Sequence, residues 1–267
     1  MGKIREYLLP VTQMNQRMDN EPLIENTAQE FWALTGAAPT YPCALDLPMQ
    51  LNLPLAIYPV KHLRVRDVTA WMRSVGIEHC IAGRDRRLHG CLVANRGKGA
   101  IFYDAEDMEE EQRFTLAHEL AHFLLDYQAP RQRAIAILGE TIRPVLDGER
   151  APTLAERLHA VLGTVALGTM SHCMERPGDG LPGSGVLDIE DRANRLALEL
   201  LAPAALLIEQ LQSPTAPRGF NARFYFLTQL LTSEHGLPAN IAAAYARFLL
   251  RKLGEPAFRD WLFETTE

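Results

Sequence analysis

The residues whose types and spacing could do chemistry lie in the segment His118-Glu119-Leu120-Ala121-His122. Histidines four residues apart on an α-helix project from one face, about one turn apart. Their imidazole nitrogens can therefore reach one zinc ion at about 2.0–2.1 Å each. Glu119 points about 100° further round the helix, where its carboxylate can take a proton from a water molecule that the zinc activates. The spacing predicts a catalytic zinc site with Glu119 as the general base.

A catalytic zinc ion needs a third protein ligand and one open coordination position. A short-spacing metzincin would place a histidine six residues after His122, but Gln128 stands there. Glu190 is the predicted third ligand, because it lies at the edge of the apolar face of a predicted helix. Asn194 faces the same way and could hold the second nitrogen of a ligand histidine, fixing its tautomer. The rival carboxylates on this helix are Asp188, Asp191 and Glu199.

Two segments resemble the ImmA/IrrE metallopeptidases, one from Arg113 to His122 and the other from Glu190 to Pro203. The family pattern is an R-F-T-x-A-H-E-x-x-H helix followed by an E-x-x-A-N-x-x-A-x-x-L-L-x-P helix. The resemblance implies the same site. His118, His122 and Glu190 would be the zinc ligands and Glu119 the general base, and Asn194 would hydrogen-bond to a ligand histidine.

The resemblance also implies an activity and a partner. The family that this chain resembles includes regulators that cleave helix-turn-helix repressors. The resemblance therefore implies a zinc metallo-endopeptidase. Its expected protein substrate is a helix-turn-helix transcriptional repressor in a stress or phage response. Zn²⁺ is the expected cofactor, with Mn²⁺ or another divalent metal as an alternative, since affinity order alone does not fix the metal in vivo. Two other hypotheses are a non-catalytic zincin-fold regulator and a toxin–antitoxin or phage-defence component that acts by protein binding.

The periodicities around the motif predict a mainly helical α+β fold of the zincin type, with a small antiparallel sheet beside the active-site helix. We predict strands at 55–58, 77–81, 88–94 and 100–103 and helices at 21–34, 64–75, 114–127, 130–147, 153–173 and 187–201.

The domain organisation predicted is an N-terminal helical region at 1–75 and a zincin-like metallopeptidase domain at 76–267. The second domain contains a helical insertion at 129–185, which shorter family members lack, and C-terminal helices at 204–267. The Gly- and Pro-rich end of the insertion, 175–185, is predicted to be an exposed mobile loop. The insertion could cover or narrow the active-site cleft.

Composition excludes several classes of protein. The net charge of −6 argues against direct nucleic-acid binding, which needs a strongly basic face. The helix-turn-helix-like stretch 227–251 is interpreted as a core-packing helix pair, because its second half is rich in Ala and Leu and only Arg247 and Arg251 are basic there. No apolar run approaches the roughly 18 residues of a membrane span. Four cysteines without a C-x-x-C spacing and no export signal predict a cytoplasmic protein with reduced thiols.

Several weaker patterns leave alternatives open. His79-Cys80 and His89-Gly90-Cys91 could form a second metal site, but hydrogen-bonded histidines with inert thiols are favoured. His172-Cys173 is predicted to end a helix. Asp126 is either a partner of the metal site or a surface charge. The sequence does not choose an oxyanion donor among Tyr127, Tyr225, Tyr245 and His235.

Overall fold

The computed structural model describes residues 21–36, 38–176 and 184–254, without the side chains of 184–189. The helices are α1 Glu21–Thr35, α2 Asp46–Asn52, α3 Val65–Ser74, α4 Glu109–His122, α5 Ala129–Leu138, α6 Arg143–Leu146, α7 Leu154–Leu162, α8 Ser184–Leu201, α9 Ala204–Gln212, α10 Phe220–Ser233 and α11 Ala239–Lys252. The strands are β1 Leu55–Val60, β2 Leu88–Asn95, β3 Lys98–Asp104 and β4 Met170–Glu175. The predicted mainly helical α+β fold is confirmed.

The four strands form one mixed sheet in the order β1-β3-β2-β4. Strands β2 and β3 form an antiparallel hairpin whose turn residues, Arg96 and Gly97, have φ values of 50° and 77°. Two central residues with positive φ match the right-handed twist of the flanking strands. The predicted antiparallel pairing is confirmed for β2 and β3, but the sheet is mixed, because it also contains β1, which runs parallel to β3. The long connection between them, which contains α3 and β2, makes the parallel pairing possible.

The outer strand β4 is the main departure from the predicted elements. The helix predicted at 153–173 ends at Leu162, and Met170–Glu175 instead pairs antiparallel with β2. This pairing satisfies the backbone N–H and C=O groups on that side of β2, which a helix would leave without partners. Residues 77–81, predicted as a strand, form no strand, although His79 Nε2 lies 2.8 Å from Ser171 Oγ. The predicted helical insertion therefore contains a strand.

Two other predicted helices differ in their bounds. The predicted helix 130–147 is broken at Gly139, whose φ of 77° is unfavourable for other residues. The motif helix begins earlier than predicted, at Glu109, and continues as a wider π-helical turn over Phe123–Gln128. Most of the predicted mobile loop, and the chain beyond 254 in the predicted C-terminal helical region, lie outside the described residues.

The motif helix α4 is buried on two sides, and this position brings the candidate site residues together. One side packs on β2 and β3, and the other packs on α8. Small residues allow the close approach: Ala117 and Ala121 on α4, and Ala193 and Ala197 on α8, are completely buried. Every residue of α4 from Phe114 to His122 is buried, including both histidines and Glu119.

Other elements complete the same core. Helix α1 contributes Ile24, Ala28 and Phe31 to it, and β1 extends the sheet, so the described part of the predicted N-terminal region packs directly on the rest. Whether residue 75 is a domain boundary stays a prediction. The inner faces of α10 and α11 also belong to this core, in agreement with the core-packing interpretation. Across the described residues, no helix combines the length and apolar character that a bilayer crossing requires.

Gly90 sets how closely β2 can approach α4. A Cβ atom at this position would overlap Thr115 Cγ2 and would lie 3.3 Å from Glu119 Cγ. We expect Gly90→Ala to lower the free energy of unfolding by about 1–3 kcal/mol, because the helix and sheet must move apart. Urea denaturation measures this difference. Lys98→Ala, an exposed change on β3, is the control and is expected to stay within about 0.5 kcal/mol of wild type; an equally small effect of Gly90→Ala would contradict the packing argument.

Candidate metal centre

The two motif histidines meet inside the protein. Each is only 2% exposed, and their Nε2 atoms lie 3.1 Å apart. The one-turn spacing on α4 places both rings on the same face, as the sequence predicts. The burial comes from the sheet on one side and α8 on the other. Neither imidazole can be solvated where it stands, so its partners must come from the protein or from a ligand.

The outer nitrogens of both histidines are hydrogen-bonded to oxygen acceptors. His118 Nδ1 donates to Asn194 Oδ1 at 3.0 Å. His122 Nδ1 donates to Asp126 Oδ2 at 2.8 Å, and the other oxygen of Asp126 accepts from Arg192 Nη2 at 2.9 Å. Asp126 therefore contacts His122 and Arg192, and its part in a metal site stays a prediction. These bonds hold the hydrogen of each neutral ring on Nδ1, so both Nε2 atoms present lone pairs.

Glu190 reaches the same point from α8. Its Oε2 lies 3.2 Å from His118 Nε2, and its Oε1 lies 3.8 Å from His122 Nε2. The rival Glu199 accepts a hydrogen bond from the backbone N–H of Ala204 and so caps α9. The side chain of Asp188 lies outside the described residues, and Asp191 does not belong to the cluster. The roles of the site residues stay predictions, but the geometry brings all five together.

His172 is the residue that the sequence analysis missed. It projects from β4 with Nε2 2.9 Å from Glu190 Oε1 and Nδ1 3.0 Å from Glu119 Oε2. Its ring stacks on that of His122, with 3.6 Å between the ring centroids. The alternation in Met170–Glu175 could have revealed it, since Met170 and Met174 contact the main core while Cys173 contacts the opposite side of the sheet. That pattern places His172 on the face toward α4.

Charges in the cluster shift one another's pKa values. Burial works against the ionised form of Glu119, but His172 and the motif histidines lower its pKa overall. Burial also works against the ionised form of Glu190, but hydrogen bonds from three histidines lower its pKa overall. Burial also disfavours a charged His172, yet the carboxylates of Glu119 and Glu190 raise its pKa to about 11. Both carboxylates are therefore ionised at neutral pH.

The motif histidines respond in opposite directions. Burial lowers the pKa of His118. The pKa of His122 is raised, because hydrogen bonds to Asp126 and Glu190 outweigh its burial. His118 is therefore neutral at pH 7, with a lone pair on the nitrogen that faces Glu190.

A divalent cation fits this set of atoms. Four residues, His118, His122, His172 and Glu190, each offer one ligand atom, and all four atoms lie within 4.8 Å of one another. Two lone-pair nitrogens beside a carboxylate repel one another unless a proton or a cation lies between them. Imidazole and carboxylate donors suit Zn²⁺ but also suit other divalent metals, so the donor set does not fix the metal. Glu119 Oε1 is buried without a hydrogen-bond partner next to this point.

The other residues considered from the sequence lie outside the cluster. Tyr127 OH accepts from the Gly97 N–H, Tyr245 OH donates to the Ala202 carbonyl, and His235 Nδ1 contacts the Leu201 carbonyl. Each of these three groups thus has a backbone hydrogen-bond partner. Tyr225 is 71% exposed. The structure therefore does not choose an oxyanion donor among the four residues.

The histidine–cysteine pairs of the predicted sheet do not form a second soft-ligand site. His89 Nδ1 contacts Asp107 Oδ2 at 2.7 Å, and with Glu111 they make a second group of potential ligands. The other oxygen of Asp107, however, already accepts from Arg176 at 2.7 Å. The cysteines are free thiols, with Cys91 Sγ 3.3 Å from Cys173 Sγ.

Comparison with known proteins bears directly on α4. Residues 83–143 match the model of the peptidase M78 family, described as the IrrE N-terminal-like domain. The predicted resemblance to the ImmA/IrrE family is confirmed. This IrrE-like segment covers β2, β3 and α4 and implies a metallopeptidase, but it ends before His172 and Glu190. No curated protein and no solved structure matches the chain.

The hydrogen bonds to Nδ1 lead to a test of the site. We expect Asn194→Ala and Asp126→Ala each to weaken Zn²⁺ binding about 10–100-fold, because His118 or His122 then loses the oxygen acceptor that fixes its tautomer. Competition with a chromogenic chelator measures the affinity. Glu209→Ala, an exposed change on α9, serves as control. Wild-type affinity in both site variants would show that the metal binds elsewhere.

Proposed function

We propose that this protein is a zinc-dependent metallo-endopeptidase. In this proposal His118, His122 and Glu190 hold the metal, Glu119 is the general base, and Asn194 positions His118. The observation that carries the proposal is the convergence of two lone-pair nitrogens and a carboxylate next to a buried, ionised glutamate with a free oxygen. A purely structural cation site would not need that additional carboxylate.

In the proposed hydrolysis of a peptide bond, the metal and the protein's own residues have different roles. A bound divalent metal ion supplies Lewis acidity, which polarises a peptide carbonyl and acidifies water. Glu119 takes a proton from the attacking water as the new C–O bond forms, and transfers it to the amine nitrogen as the C–N bond breaks. The lowered pKa of Glu119 keeps its carboxylate ready to accept that proton.

The proposed substrate is a helix-turn-helix transcriptional repressor, and the proposed setting is a stress or phage response. Support comes from the ImmA/IrrE resemblance, which the family match places on β2, β3 and α4. The net charge of −6 favours action on a protein over direct contact with DNA. Within the predicted insertion 129–185, strand β4 brings His172 to Glu119 and Glu190, so this segment contributes directly to the proposed site.

Replacement of the general base tests this proposal. We expect Glu119→Gln to bind Zn²⁺ stoichiometrically but to cleave about 10²–10⁴-fold more slowly than wild type, because the amide cannot accept the proton. The assay incubates purified protein with the repressor-type product of an adjacent gene and identifies fragments by mass spectrometry. Elemental analysis gives the metal content.

Glu209→Gln is the matched control, an exposed change of the same kind that should cleave normally. Wild-type cleavage by Glu119→Gln would remove this residue from the reaction. Repressor binding without cleavage by either protein would favour the non-catalytic regulator or toxin–antitoxin and phage-defence alternatives. Wild-type protein without stoichiometric metal would overturn the proposal altogether.

A further inference from the structure

We propose that His172 is a fourth protein ligand, which closes the metal site in the resting protein and frees it when β4 moves. This inference rests on the proposed function, since it concerns the same metal. The inference also gives His172 a regulatory role, because Nδ1 of the same ring contacts Glu119, the proposed general base.

The distances place His172 Nε2 among the ligand atoms. In a tetrahedral site with bonds of about 2.0–2.1 Å, neighbouring ligand atoms lie roughly 3.3–3.4 Å apart. His118 Nε2 is 3.1 Å from His122 Nε2 and 3.2 Å from Glu190 Oε2. His172 Nε2 is 2.9 Å from Glu190 Oε1, within the same range. Its ring covers one side of His122, so it borders the same small volume.

The hydrogen-bond pattern of His172 repeats that of the two motif histidines. Each of the three rings has Nδ1 against an oxygen: Asn194 for His118, Asp126 for His122 and Glu119 for His172. Each therefore directs Nε2 toward Glu190. An oxygen acceptor on the outer nitrogen is the usual arrangement for a metal-ligating histidine. The alternative is an imidazolium that merely bridges Glu119 and Glu190, which would give His172 no part in metal binding.

Four protein ligands have a definite consequence. Closed tetrahedral zinc sites are structural, whereas catalytic sites keep a position for water. His172 would fill that position and at the same time occupy an oxygen of Glu119. Removal of one imidazole therefore frees both the coordination position and the general base.

His172 is also the ligand best placed to leave. Its side chain is 18% exposed, against 2% for the motif histidines. It lies on β4, an outer strand that pairs within the sheet only with β2 and whose side chains are half-buried or exposed. The motif histidines lie instead on a helix that is buried between the sheet and α8. A movement of β4 would therefore displace His172, while His118 and His122 stay on the buried helix α4.

X-ray absorption spectroscopy of the zinc-loaded wild-type protein tests the inference without any substitution. We expect scattering from three imidazole ligands. Two imidazoles would overturn the inference while leaving the three-ligand site of the proposed function intact. Absence of bound zinc, or binding that Glu190→Ala does not weaken, would instead count against the proposed function itself.

Cobalt substitution provides the second test. We expect His172→Ala to weaken Co²⁺ binding by at least about tenfold and to change its visible spectrum toward that of a site open to water. Acetohydroxamate should then perturb the spectrum of His172→Ala far more strongly than that of wild type. His159→Ala, on α7 and outside the cluster, is the control. Unchanged Co²⁺ affinity and spectrum in His172→Ala would contradict a fourth ligand.

Discussion

The close approach of imidazole nitrogens and carboxylates in a buried space is the constraint on which this structure depends. His118 Nε2 and His122 Nε2 lie 3.1 Å apart with Glu190 beside them, and both histidines are almost completely buried. Such groups are costly to bury unless a cation joins them. The binding free energy of a metal would therefore also stabilise the fold, because the unfolded chain does not preform the site.

The rest of the architecture brings acceptors and donors from four elements to that point. Helix α4 supplies His118, His122 and Glu119, and α8 supplies Glu190 and Asn194. The π-helical turn after α4 supplies Asp126, and β4 supplies His172. The distances require backbones that approach closely, which explains the alanines between α4 and α8 and the glycine at position 90 of β2. Larger residues there would separate the ligands before they disturbed any single hydrogen bond.

The features that could be predicted from the sequence are those that depend on residues close together along the chain. The spacing of His118 and His122 fixes their relation on any helix, and the helical face of Glu190 and Asn194 placed both toward the site. The β2–β3 hairpin is local as well. Strand β4 was not predicted, because its conformation follows from pairing with β2, which is distant in the sequence, while its own periodicity also suits a helix. His172 was missed for that reason, and so was the parallel pairing of β1.

Anomalous diffraction at the zinc absorption edge, from crystals of the metal-loaded protein, tests the central claim most directly. We expect one strong peak within about 2.0–2.2 Å of Nε2 of His118, Nε2 of His122 and an oxygen of Glu190. A peak at the group of His89, Asp107 and Glu111 instead, or no peak between the two motif histidines, would contradict the account.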